Sequence, residues 1–221
     1  MNNFHVYENK ELLATAAASY ILLKINDCLE AQPRCRIALP GGSTPARCLQ
    51  LLSKLNLPWQ QIDWYVGDER CLPVGHEERN DTMINEQLFS QGLISKQHFF
   101  PIKAELGAEK AAEDYALLFN AFTALDIVIL GMGEDGHTAS LFPQNPALDD
   151  QRAVVPVFNA PKPPPERVSL SVSTIAAAGR RIILVAGKDK QTALAGVQAG
   201  EKLPVNSIGD STWFVDEAAA G

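Results

Sequence analysis

A Rossmann-like three-layer α/β architecture, one mainly parallel sheet with helices on both faces, follows from three features of this 221-residue chain. Strand-like and helix-like segments alternate along most of its length, as they do in parallel sheets joined by crossover helices. Several strand candidates are short and almost wholly apolar, which suits strands covered on both sides. Glycines and prolines punctuate the segment ends.

In chain order, residues 4–7 form a short strand-like stretch. Residues 10–30 then carry apolar side chains at helical spacing with alanine filler of high helix propensity. Residues 35–39 are an apolar run closed by Pro40, Gly41 and Gly42, and Pro45 opens a periodic stretch through residue 55, as a proline in a first helical turn does. The alternation continues with a strand at 62–66, helices at 78–88 and 108–121, and a strand at 125–130. Further strands are expected at 168–172 and 181–185 and a last helix at 190–198. Pro161, Pro163, Pro164 and Pro165 stiffen a surface loop. Composition does not shift across it, so residues 1–221 read as a single domain.

Composition narrows the function. Nineteen Lys and Arg against 26 Asp and Glu give a net charge of −7, so there is no overall positive field for nucleic acid or anionic lipid, and any basic site is local. The apolar stretch at residues 12–29 is interrupted by Ser19, Tyr20, Lys24, Asn26 and Asp27, and residues 125–132 fall short of the ~20 that a span requires, so no transmembrane helix is expected. The first ten residues lack the pattern of a secretion signal, which points to a cytoplasmic address. Cys28, Cys35, Cys48 and Cys71 form no C-x-x-C pair and read as reduced, unliganded thiols, with no metal site.

In an open parallel sheet, ligands bind beyond the carboxyl ends of the strands, and four segments there carry chemistry. In the first, Gly41 and Gly42 allow close backbone approach, Ser43 and Thr44 offer hydroxyls, and a helix N-terminus follows. The segment suits a phosphate, or equally an ordinary turn with Ser43 or Thr44 as N-cap. In the second, Asp68, Glu69 and Arg70 follow a buried strand. The guanidinium suits an anionic ligand and the carboxylates suit hydroxyls, while a solvated loop has the same composition. The third, residues 130–143, holds three glycines with Asp135 and His137. A carboxylate can fix a histidine's tautomer and raise its basicity, which makes His137 a candidate general base or else a structural histidine at a turn. The fourth comprises Arg167 after the proline cluster and Lys188 and Lys190 ahead of a helix. These are cations placed for an anion or simply exposed.

Taken in order, the stretches GGSTP (41–45), DER (68–70), GMGEDGHTASLFP (131–143), PPPERVSLS (163–171) and GKDKQTAL (187–194), with Leu203, Pro204, Trp213 and Asp216 near the end, resemble the 6-phosphogluconolactonase family. The resemblance runs from the first strand nearly to the C-terminus. It implies a cytosolic enzyme of the amino-sugar-phosphate isomerase and deaminase superfamily, acting in the oxidative pentose phosphate pathway without metal or organic cofactor. By the same resemblance His137 is the general base and Asp135 its helper. Arg70 and Lys190 grip the phosphate, Gly41, Gly42, Ser43 and Thr44 form the glycine loop, and Arg167 lies in the site region. The chain departs from the family pattern at Pro40, where many members have serine, and at Arg79, where serine is common. Both departures are expected at the rim of the site.

The reaction so implied is hydrolysis of 6-phospho-D-glucono-1,5-lactone to 6-phosphogluconate. Its only partner is that small-molecule sugar-phosphate lactone, with no nucleic acid or membrane, and the protein is a monomer or weak homo-oligomer. No serine sits in a nucleophile elbow, so water activated by His137 is the expected nucleophile. Two rivals remain. One is a deaminase such as glucosamine-6-phosphate deaminase, against which stand Arg70 after the Asp-Glu pair and Thr-Ala-Ser after His137. The other is a non-catalytic sugar-phosphate sensor.

Overall fold

The computed structural model describes residues 2–90 and 98–221. Its larger sheet has seven strands, all parallel, in the order β1 (Asn3–Tyr7), β10 (Thr212–Asp216), β9 (Arg180–Val185), β6 (Ile127–Gly131), β2 (Cys35–Leu39), β3 (Ile62–Val66) and β5 (Phe99–Phe100). Seven α-helices accompany the strands. β3 is buried along its whole length, Asp63 included, as are the first four residues of β6, whose sequence there is wholly apolar. From β2 the chain proceeds to β3 on one side, and from β6 it proceeds toward β9 on the other. The loops leaving β2 and β6 therefore diverge and open a crevice between them.

A second sheet was not foreseen. Three antiparallel strands, β4 (Asp68–Arg70), β8 (Arg167–Leu170) and β7 (Val154–Val157), lie outside the main sheet. Residues 68–70, left open between a ligand-facing segment and a solvated loop, thus form a strand. The strand expected at 168–172 belongs to this small sheet and stops at Leu170, because Ser171 caps the next helix, α5 (Val172–Ala177), with its Oγ accepting from the Thr174 amide at 3.2 Å.

The other boundary shifts also have local causes. Helix α2 (Ser43–Leu52) begins two residues before Pro45, with Gly42 at φ +97° as its N-cap and no capping side chain. That places Ser43 and Thr44 inside the helix, not at the cap. Helix α3 (Asn80–Gln87) starts two residues late, where the distant Glu69 carboxylate accepts from the amides of Asn80 and Asp81, at 2.8 Å each. Helix α4 (Ala108–Ala116) tightens into a 3₁₀ turn at Leu117–Ala121.

Helix α1 (Lys10–Ala31) has 22 residues and is apolar enough, by length and composition, to cross a membrane, contrary to the reading that none is. Here it serves as a core helix: Leu13, Ala14, Ala17, Ala18, Ile21 and Ile25 form its buried face, and it packs on α2 and β10. The last helices are α6 (Gln191–Gln198) and α7 (Glu217–Ala220).

Candidate active site

The crevice holds a cavity of about 340 Å³ at the carboxyl ends of β2, β3, β6 and β9, within the usual size for a small-molecule site. Gly41, Gly42, Ser43, Thr44, Asp68, Arg70, His137, Arg167 and Lys190 all line it, so the four segments singled out in the sequence converge.

His137 sits in a turn that glycine makes possible. The Gly133 amide donates to the His137 carbonyl at 2.8 Å, and Gly136 turns the chain at φ +76°. A Cβ on Gly133 would lie 2.0 Å from His137 Nδ1, so this position has no room for a side chain. Asp135 Oδ1 lies 2.5 Å from His137 Nδ1 and also accepts from the His137 amide at 3.2 Å. The carboxylate holds the proton on Nδ1 and leaves Nε2 as the basic nitrogen. Asp135 does not line the cavity; it acts on the ring from behind. Burial holds His137 below the ordinary histidine range, opposed by the Asp135 and Asp68 carboxylates. The Phe142 ring lies 4.5 Å from the imidazole, centroid to centroid, and the Arg167 guanidinium sits over the same Phe142 ring at 5.4 Å.

Arg70 and Arg167 are direct cross-strand partners in the β4–β8 ladder. Like charges placed so destabilise each other, and among the described residues neither guanidinium has a carboxylate within 4.0 Å. Arg70 donates from Nη1 to the Glu78 carbonyl, and its buried Nε has no partner among the described residues. Arg167 is buried and donates to the carbonyls of Lys162, Pro163 and Pro164 at 3.0, 2.9 and 3.1 Å. Burial and the nearby Arg70 charge pull its pKa below the ordinary arginine range. A buried and a half-buried cation lining one cavity together suit an anion. Lys190, which also lines the cavity, pairs with Asp189 at 2.8 Å.

Two sequence expectations are corrected. Glu69 does not meet a ligand: it is fully buried, and its oxygens accept from the amides of Arg70, Asn80 and Asp81, 2.8 Å each. Nor does Arg79 stand at the rim. It is 2% exposed and donates to Asp81, to Glu105 and to the carbonyls of Leu72 and Ile102, with Glu69 at 4.0 Å. Pro40, the other departure, does line the cavity.

The sequence reading missed Asn80, Ser140, Phe142 and Lys162. Asn80 Nδ2 donates to the Asp68 carbonyl at 2.6 Å, and Ser140 Oγ donates to Asp68 Oδ2 at 2.6 Å, so Asp68 is held in place. A Cβ on Gly41 would lie 1.9 Å from Asn80 Oδ1, which ties the glycine loop to α3. The presence of Gly41 was the signal that some neighbour approaches there.

At the opposite end of the sheet, Cys28, Cys35 and Asp126 bring possible ligand atoms within 4.8 Å of one another. The Asp126 oxygens already accept from Gln32 Nε2 at 2.8 Å and the Arg36 amide at 2.7 Å.

Residues 8–215 match the sequence profile of glucosamine-6-phosphate isomerases/6-phosphogluconolactonase. A human protein named 6-phosphogluconolactonase is 34% identical over 97% of this chain and 91% of its own length, and one from Streptomyces coelicolor is 32% identical over 97% and 92%. The crystal structure of a 6-phosphogluconolactonase from Thermotoga maritima superposes with a TM-score of 0.92 at 27% identity, covering 98% of this chain and all of that one.

Proposed function

The chain belongs to the family of glucosamine-6-phosphate isomerases and 6-phosphogluconolactonases, and from this we propose that it hydrolyses 6-phospho-D-glucono-1,5-lactone to 6-phosphogluconate. The observation that carries the reading is the pairing, in one cavity, of an imidazole held by Asp135 with an arginine pair that has no carboxylate partner among the described residues.

The lactone enters with its phosphate toward the cationic wall formed by Arg70, Arg167 and Lys190 and the glycine loop at α2. Its hydroxyls meet Asp68, whose oxygens are oriented by Ser140 and Asn80. Water attacks C1 as His137 Nε2 takes its proton, a step worth ~10²–10⁴-fold. The same imidazole, now protonated, returns that proton to the departing ring oxygen. Phosphate binding away from C1 orients the ester toward the base. A phosphorylated sugar cannot leave through a membrane unaided, and the four unpaired cysteines suit a reducing compartment, so the enzyme's address is the cytoplasm.

The test is to generate the lactone in situ from glucose 6-phosphate and follow its disappearance. The wild type accelerates the decay above the spontaneous rate, and His137→Ala returns it nearly to that rate while still binding 6-phosphogluconate. Ammonia release from glucosamine 6-phosphate without lactone hydrolysis would assign the chain to the deaminase branch instead.

A further inference from the structure

We propose that Lys162 is a further catalytic residue, whose ammonium group faces the lactone carbonyl and stabilises the negative charge that hydrolysis places on its oxygen; the inference rests on the lactonase reading.

General-base attack by water leaves an oxyanion on C1, and nothing in the His137–Asp135 pair answers that charge. Four basic side chains other than His137 line the cavity, and one of them, Lys190, is paired with Asp189. Arg70 and Arg167 are neighbours in the β4–β8 ladder, and Arg167 sits over the Phe142 ring. Lys162 belongs with the base instead. Its Nζ lies 2.5 Å from Glu134 Oε1, on the turn that carries His137 three residues later. The charged groups acting on the His137 ring are Asp135, Asp68 and Lys162, and among these Lys162 is the cation.

The backbone beneath Lys162 is held while its side chain keeps its reach. The Arg167 guanidinium binds the carbonyls of residues 162, 163 and 164, and the Ala160 amide donates to the Pro165 carbonyl at 3.0 Å. The Lys162 side chain itself is 47% exposed, so it can turn between Glu134 and a ligand. Pairing with Glu134 orients the ammonium in the resting site, and the oxyanion competes for it as charge develops.

In the full step, the water oxygen bonds to C1 as its proton passes to His137 Nε2, and the carbonyl electron pair moves onto the oxygen beside Lys162. That pair then re-forms the double bond, the bond from C1 to the ring oxygen breaks, and the imidazolium proton goes to the ring oxygen. Lys162 keeps its protons throughout.

The experiment compares wild type, Lys162→Met and Lys162→Arg in kcat, KM, the pH dependence of kcat/KM and affinity for 6-phosphogluconate. Lys162→Met is expected to lose about 10²-fold in kcat and to weaken binding of 6-phosphogluconate, whose C1 carboxylate meets the same ammonium, and Lys162→Arg to recover part of both losses. Because a nearby cation disfavours the imidazolium, its removal also moves the acid limb to higher pH. Wild-type kcat in Lys162→Met, or a loss confined to KM, overturns the proposal. A wild type that does not hydrolyse the lactone overturns the lactonase reading itself.

Discussion

His137 must be neutral to accept a proton, and its surroundings favour that form: burial holds its pKa below the ordinary ~6.5. Activity limited by this base therefore persists as pH falls until the lowered pKa is reached, so the acid limb of kcat/KM lies below pH ~6.5. Asp135 pulls the other way, because a carboxylate beside the ring favours imidazolium. Asp135→Asn is expected to shift the limb to still lower pH and to lower kcat, since the amide no longer holds the proton on Nδ1. A pH–rate profile of the two proteins checks both, and a limb that moves upward in Asp135→Asn would break the assigned pairing. His137 and Asp135 could be found in the sequence because one short turn carries both. The role of Gly133 could not, since the 2.0 Å approach of the imidazole to its missing Cβ exists only once the turn has closed.

Strand β4 is three residues long, with charge at every position, and no periodicity marks it. Its partner β8 lies about a hundred residues onward, so only tertiary pairing makes it a strand. The same pairing turns Glu69 inward and Arg70 outward, which adjacency in the sequence cannot reveal. Glu69 then acts as a remote cap for α3, and Arg79 threads the loop between β4 and α3 to Ile102 and Glu105. Arg79→Ser leaves Glu69 and Asp81 buried without their cation and is expected to cost about 3–5 kcal/mol, measured by urea denaturation. Burial and the Asp81 carboxylate push Glu69 up to about 7, against the pull of its three amide donors. A carboxyl whose folded pKa exceeds its unfolded value of ~4.3 binds extra protons in the fold, so this contribution is full below pH ~4.3 and is lost as pH rises toward 7. Glu69→Gln removes that titration. The stability difference between wild type and variant should therefore change across this window, and a constant difference would contradict the assignment.

The parallel sheet was legible because strands such as β6 are short apolar runs and helical periods recur between the strand segments, and the loops beyond them gather where strand order diverges. Less legible was the cost of the arrangement. Assembling the main sheet, the small sheet and the proline strap into one cavity wall sets Arg70 opposite Arg167 and strands the Arg70 Nε without a partner. A fold that accepts such a pair trades stability for an anion site. Arg70→Met removes both the like-charge contact and the unpartnered donor, so the ligand-free variant is expected to melt at or above the wild-type temperature. Ligand present at 100 times its Kd adds ~2.7 kcal/mol to the folded state, roughly 5–10 °C in Tm for a chain of this size. Wild type with 6-phosphogluconate should show that rise, and Arg70→Met at the same concentration should lose most of it. Thermal melts of both proteins with and without the ligand decide the matter. A variant less stable when empty, yet stabilised by the ligand as much as wild type, would mean that Arg70 supports the sheet and the anion is held elsewhere.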